Sequence, residues 1–193
     1  SLCVPTDATD DDSVGALVGA TVAEFGRLDV LVNNAFTQPP FETLEQVSID
    51  TWNESFAINC TAALRTAKAV LPAMRAQGAG SIVNVATMSI RNNRPNFGAY
   101  AAAKSALTSL TRTLANEVGP DGIRVNAVCP GFILGDSVRT YLAAMAKRDG
   151  TDVKVFLIGD AVTCAVAGQQ LPDGYYHLDR MITAAGRHDA EIG

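Results

Sequence analysis

The sequence is poor in the residues that mark several classes of function. Its 193 residues hold two histidines, His177 and His188, and four cysteines, Cys3, Cys60, Cys129 and Cys164. The cysteines form no Cys-x-x-Cys pair and lie at no short spacing from either histidine, so no metal site is expected. The histidines fall three turns apart on one expected helix, too far to share a metal. Widely scattered thiols read as reduced, in a cytoplasmic protein, and not as a disulfide framework. No run of 18 apolar residues occurs, so no transmembrane helix is expected. The first residues show no basic segment followed by an apolar one, so no signal peptide is expected either. Positive charge is scarce too: 15 Lys and Arg against 20 Asp and Glu leave a net charge of −5. That balance argues against nucleic acid or an anionic membrane surface as partner.

What is present is apolar and small. Hydrophobic residues make up 48% of the chain, and aromatics only 6%. Such a composition suits an α/β protein with closely packed helices and strands. Leu2-Cys3-Val4 reads as the end of a buried strand, followed by an acidic turn over 7–12. Val14, Leu17, Val18, Val22 and Phe25 share one face of a helix over 11–25, ended by Gly26-Arg27. The run 28–32 lacks strict alternation, as in a parallel strand covered on both faces. Ser48 is placed to cap a long helix reaching Met74, with a kink or break expected at Pro72. Strands are expected over 81–85 and 123–128, with an Ala-rich helix over 97–118 between them. Beyond Arg139 the expected elements are a helix over 141–148, a strand over 153–158, and helices over 161–169 and 175–187. Strands alternating with helices of a dozen residues or more point to βαβ units and a parallel, doubly wound sheet.

The most informative pair is Tyr100-Ala-Ala-Ala-Lys104. Positions i and i+4 share a helix face. An ammonium beside a phenol favours the phenolate and lowers a pKa ordinarily near 10. Such a phenol can exchange a proton with a carbonyl or an alcohol. An ordinary helix exposing a Tyr and a Lys has the same spacing, so the pair decides nothing alone. Its setting does. Asn33-Asn34-Ala35 follows a buried strand, and Asn59 sits within a long helix. Thr87 lies at the end of the strand Ile82-Val83-Asn84-Val85, thirteen residues before Tyr100. The segment 124–131, ending Cys129-Pro130-Gly131, follows the Tyr/Lys helix. In order and spacing, residues 1 to about 140 resemble the short-chain dehydrogenase/reductase family.

That resemblance implies a Rossmann-like fold, NAD or NADP as cofactor, and a small carbonyl or secondary alcohol as substrate. It implies that Tyr100 is the general acid/base and that Lys104 lowers its pKa and holds the nicotinamide ribose. It implies that Asn59 binds a relay water and that Thr87 replaces the family's usual serine, with Ser89 the nearby alternative. Cofactor contacts carry over to Asp7 and Ala8 near the adenine, and to Asn33 and Ala35 near the adenosine ribose. They carry over likewise to Pro130, Gly131 and Ile133 beside the nicotinamide. Phe36 and Gly135 depart from the family pattern. The family also implies a homo-oligomer, built through the Asn59 and Tyr100 helices.

The family's Gly-rich phosphate loop has no counterpart here. Gly15-Ala-Leu-Val-Gly19 is the one candidate, and it lies within an expected helix. On this resemblance the chain corresponds to a partial Rossmann-like sheet lacking its first two strands, followed by a short α/β segment. Residues 142 to 193, with the run Asp152 to Cys164 and Tyr175 to Met181, resemble DsrE-like sulfur-handling proteins, with Cys164 as candidate thiol. The expected domains are therefore 1–140 and 141–193. The leading function is a nicotinamide-dependent oxidoreductase. The alternatives are a sulfur carrier using Cys164 and a catalytically inactive fusion whose motifs are remnants.

Overall fold

The computed structural model describes residues 1–131 and Ile133. The boundary expected near residue 140, the elements expected beyond it, and Gly135, Cys164, His177 and His188 lie outside the described residues. Ser1–Gly131 fold as one compact unit.

Helix α1 spans Asp11–Phe25. Its N-cap, Asp10, accepts from the Ser13 N–H at 2.6 Å, and Gly26 closes it with φ +74°, a conformation a side chain disfavours. Strand β1 follows at Val30–Asn33. Helix α2, Ile49–Phe56, begins at Ser48, whose Oγ accepts from the Thr51 N–H at 3.0 Å, as its sequence position predicts. The helix continues through a π-helical turn, Ala57–Thr61, into α3, Ala62–Gln77. Then come β2 (Gly80–Val85), a 3-10 turn at Met88–Ile90, α4 (Gly98–Val118), a 3-10 turn at Gly119–Asp121, and β3 (Ile123–Val128).

The three strands are parallel and lie in the order β1-β2-β3. Leu31, Ile82 and Val125 stand in one cross-strand row, and Asn33, Asn84 and Ala127 in the row nearer the C-terminal ends. The first row meets Val18 and Val22 of α1, Val70 and Met74 of α3, and Leu114 and Val118 of α4 in one apolar core. The second row is polar. Asn33 Nδ2 donates to Asn84 Oδ1 (2.8 Å), Asn84 Nδ2 to Thr111 Oγ1 (2.9 Å), and Thr66 Oγ1 to Asn33 Oδ1 (2.7 Å). The core thus changes from apolar to hydrogen-bonded where the strands end, and buried amides without such partners would be costly there.

Three expectations are corrected. Leu2–Val4 is not a strand, because no strand neighbour satisfies its backbone. Pro72 does not break its helix. It stays inside α3, and the irregularity falls at the π turn around Asn59, where a side chain bonds outside the helix. Finally, the described helices pack on one face of the sheet, and Val30 (57%) and Val32 (56%) are exposed on the other. The order β1-β2-β3 advances in one direction, so successive right-handed crossovers place their helices on the same side. Among the described residues no helix is long and apolar enough to cross a membrane.

Met74 is fully buried at the centre of this core, and its Sδ occupies the space a Cβ at Gly80 would need. Met74→Ala is expected to cost about 2–5 kcal/mol of unfolding free energy, read from a shifted urea midpoint. A shift below about 1 kcal/mol would show that α3 does not seat on the sheet as described.

Candidate active site

Parallel strands end along one edge, and the segments leaving them gather there. At the end of β2, the Ala86 N–H donates to the Val128 carbonyl (2.8 Å), and the Met88 N–H to the Pro130 carbonyl (2.9 Å). These two bonds tie the Thr87 segment to the Pro130-Gly131 loop after β3. Thr87 caps the short 3-10 turn: its Oγ1 accepts from the Ser89 N–H (3.2 Å) and donates to Ser89 Oγ (3.3 Å).

Helix α4 brings Tyr100 and Lys104 to the same place. Tyr100 is half-buried. Burial pushes its phenol above the ordinary value of 10.0, and the nearby Thr87 hydroxyl pulls it partly back. Lys104 is 2% exposed, and its Nζ donates to the Val85 carbonyl at 2.8 Å, 6.0 Å from the centre of the Tyr100 ring. Burial lowers the ammonium's pKa, and the Cys60 thiol nearby partly restores it. Burial in turn raises the Cys60 thiol, against an opposing effect of Lys104. The expectation that Lys104 lowers the Tyr100 pKa is therefore not met in this state. The ammonium is turned onto a strand carbonyl, and desolvation of the phenol dominates.

Asn59 is 1% exposed within the π turn. Its Oδ1 accepts from the Thr37 N–H (3.2 Å), and its Nδ2 donates to the Thr37 carbonyl (2.9 Å) and to Ser55 Oγ (3.3 Å). The side chain is thereby occupied in clamping the segment after β1. π-Helical turns of this kind are frequent at functional sites, since they break the regular backbone ladder.

The expected cofactor residues divide. Asn33 turns its amide inward to Asn84 and Thr66, so it holds the turn together. Ala35, Phe36, Gly131 and Ile133 are exposed. Asp7 is exposed as well, and its Oδ1 accepts from the Thr9 N–H (2.8 Å) and hydroxyl (2.7 Å), which lowers its pKa. Ala8 offers its carbonyl to Arg65 on α3 (3.4 Å). Gly15 and Gly19 lie inside α1, whose start carries Asp10, Asp11 and Asp12, an arrangement hostile to phosphate. The motif reading passed over Ser55, Thr111 and Cys60. Ser55 lies one turn before Asn59 and shares its face, the one sequence signal that singles it out.

The profile of the family described as enoyl-(acyl carrier protein) reductase matches residues 1–169. A cis-4-hydroxycyclohexanecarboxylate dehydrogenase of Sinomonas cyclohexanicum is 36% identical over 190 residues, covering 91% of this chain and 76% of that protein. A trans-4-hydroxycyclohexanecarboxylate dehydrogenase of the same organism is 43% identical over 150 residues, covering 77% of this chain and 54% of that protein. The crystal structure of an NAD+-bound xylitol dehydrogenase superposes with a TM-score of 0.69 at 36% identity, covering 74% of this chain and 55% of that one. The chain thus spans about half the length of the latter two. The DsrE-like resemblance of the C-terminal segment is not upheld, because the profile runs on through residue 169 and the cis relative aligns over most of the chain. An apolar run between two helices is common to many parallel α/β units, and it misled the sequence reading. The chain belongs to the short-chain dehydrogenase/reductase family.

Proposed function

We propose that this protein is an oxidoreductase exchanging a hydride between NAD(H) or NADP(H) and a small secondary alcohol or its carbonyl. The observation that carries this reading is Tyr100 and the buried Lys104 one helical turn apart on α4, with the Thr87 hydroxyl near enough to act on the phenol. Thr87 holds the substrate oxygen through its hydroxyl, and Tyr100 passes a proton to that oxygen or takes one from it. A bound nicotinamide supplies the hydride acceptor or donor. The residues fit its ribose: an ammonium has three donors, and Val85 O is the partner that Lys104 has among the described residues. Two donors therefore remain for the ribose hydroxyls. No Gly-rich cradle for a pyrophosphate occurs among the described residues. Asp7, Ala8, Asn33 and Ala35 are proposed to line the adenosine end, and Pro130, Gly131 and Ile133 the nicotinamide end. The same reading places the protein in the cytoplasm as a homo-oligomer associating through α2, α3 and α4, where Ile49 and Leu64 are exposed.

Titrating NADH and NADPH and following nicotinamide fluorescence tests the cofactor part. Saturable binding that weakens at least about tenfold in Lys104→Ala is expected, the scale of losing hydrogen bonds to a charged donor. No binding at millimolar cofactor would leave the proposal without its cofactor. Tyr100→Phe is expected to lower kcat by about 10²- to 10⁴-fold, with cofactor affinity nearly unchanged. Retained turnover would remove Tyr100 as the proton-transfer group.

The direction of the Tyr100 shift sets the pH profile. Alcohol oxidation needs the phenolate, and burial makes the phenolate rarer at a given pH. Oxidation should therefore climb through the alkaline range. Carbonyl reduction needs the phenol, so it should stay level across neutral pH and fall only in the alkaline range. Initial rates in both directions check this, and an oxidation rate already level at pH 7 would contradict it.

A further inference from the structure

One buried hydroxyl has no task in this chemistry. Ser55 lies on α2, one turn before Asn59, and is 1% exposed. Its Oγ accepts from Asn59 Nδ2 (3.3 Å) and donates to the carbonyl of Ala99 (3.3 Å), the residue before Tyr100. With the two bonds between Asn59 and the Thr37 main chain, this makes one continuous path. It runs from the segment after β1, across the π turn, to the first turn of α4. The path dictates the residue at its middle. An amide nitrogen only donates and a carbonyl only accepts, so the group between them must accept on one side and donate on the other. A hydroxyl does both, and a methyl does neither.

The far end of the path lies where α4 needs support. Tyr100 is the third residue of α4, which opens on Gly98. The N-cap position holds Phe97, whose side chain has no group that could cap the helix by hydrogen bonding. An uncapped first turn is the part of a helix that frays most readily. Yet this turn must hold the phenol beside Thr87, whose hydroxyl acts on it.

We propose that Ser55 is a positioning residue for Tyr100, its hydroxyl pinning the uncapped first turn of α4 to the π turn at Asn59 and so setting the reach of the phenol to Thr87. The proposal rests on Tyr100 as the proton-transfer group, and it adds a residue that touches neither substrate nor cofactor. It also explains why the π turn and the phenol occur together: the bulge sets Asn59 and Ser55 where one faces Thr37 and the other faces Ala99.

The test uses the whole chain labelled with 13Cζ-tyrosine, in wild type, Ser55→Ala and Ser55→Thr. Loss of one resonance in Tyr100→Phe assigns Tyr100. Circular dichroism establishes that each variant folds, and Ser55→Thr keeps the hydroxyl should Ser55→Ala fail to fold. Ser55→Ala is expected to let the first turn fray into water and, because burial outweighs Thr87 in setting the phenol, to move the Tyr100 titration down toward that of a free tyrosine while leaving the other tyrosines in place. It is also expected to lower kcat by about ten- to a hundredfold, the effect of a misplaced reacting group, with KM and cofactor affinity within about threefold of wild type. Ser55→Thr should restore both. An unchanged Tyr100 titration in folded Ser55→Ala overturns the proposal, as does a loss that Ser55→Thr fails to rescue in folded protein. If wild type binds cofactor and turns nothing over while Ser55→Ala still moves the titration, the proton-transfer reading fails and the positioning role stands.

Discussion

The hydrogen bond from the Lys104 ammonium to the Val85 carbonyl is the interaction on which the site depends. It joins α4, which carries Tyr100, to the end of β2, two residues before Thr87. An ammonium 2% exposed is costly to keep from water, and one carbonyl only partly offsets the cost. The lowered pKa of Lys104 expresses that imbalance. Val85 O takes one of the three donors of the ammonium. The same desolvation acts on Tyr100 and raises its phenol, so both groups sit nearer their neutral forms than they would in water.

Around this bond the polar groups are arranged in two buried sets. One crosses the sheet, Thr66 to Asn33 to Asn84 to Thr111, and locks the strand ends to α3 and α4. The other leaves the sheet at Thr37 and reaches Ala99 through Asn59 and Ser55. No buried side-chain nitrogen or oxygen among the described residues lacks a partner. Fully satisfied buried polar groups specify geometry more sharply than apolar packing does, because a small displacement breaks a directional bond. An apolar core of Ile82, Val125, Met74 and Val118 supports the sheet, while these bonds aim the side chains at its edge.

Much of this was legible in the chain. The periodicity of 11–25, its end at Gly26 and the capping residue Ser48 locate their helices to within a residue or two, because those signals are local. The spacing of Tyr100 and Lys104 puts them on one face of α4 because the helix repeat is a short-range constraint, while the family resemblance singled out Thr87 beside them. The interruption of the long helix was misplaced at Pro72. A missing backbone N–H can be read from sequence, whereas the pull of Thr37 on Asn59 joins residues twenty-two positions apart. The C-terminal resemblance to a second family failed because an apolar run of six residues has little specificity.

By itself the sequence determined the spacing of the candidate site residues, the parallel α/β class, and the helix starts and stops, all of which follow from motifs, propensities and repeats within a few residues. Tertiary structure alone decided the state of those groups. It turned Lys104 onto Val85, left Tyr100 raised in pKa by burial, turned Asn33 inward, and set Ser55 between Asn59 and Ala99. Desolvation and long-range hydrogen bonds depend on which distant residues share a space, and no local pattern in the chain encodes that.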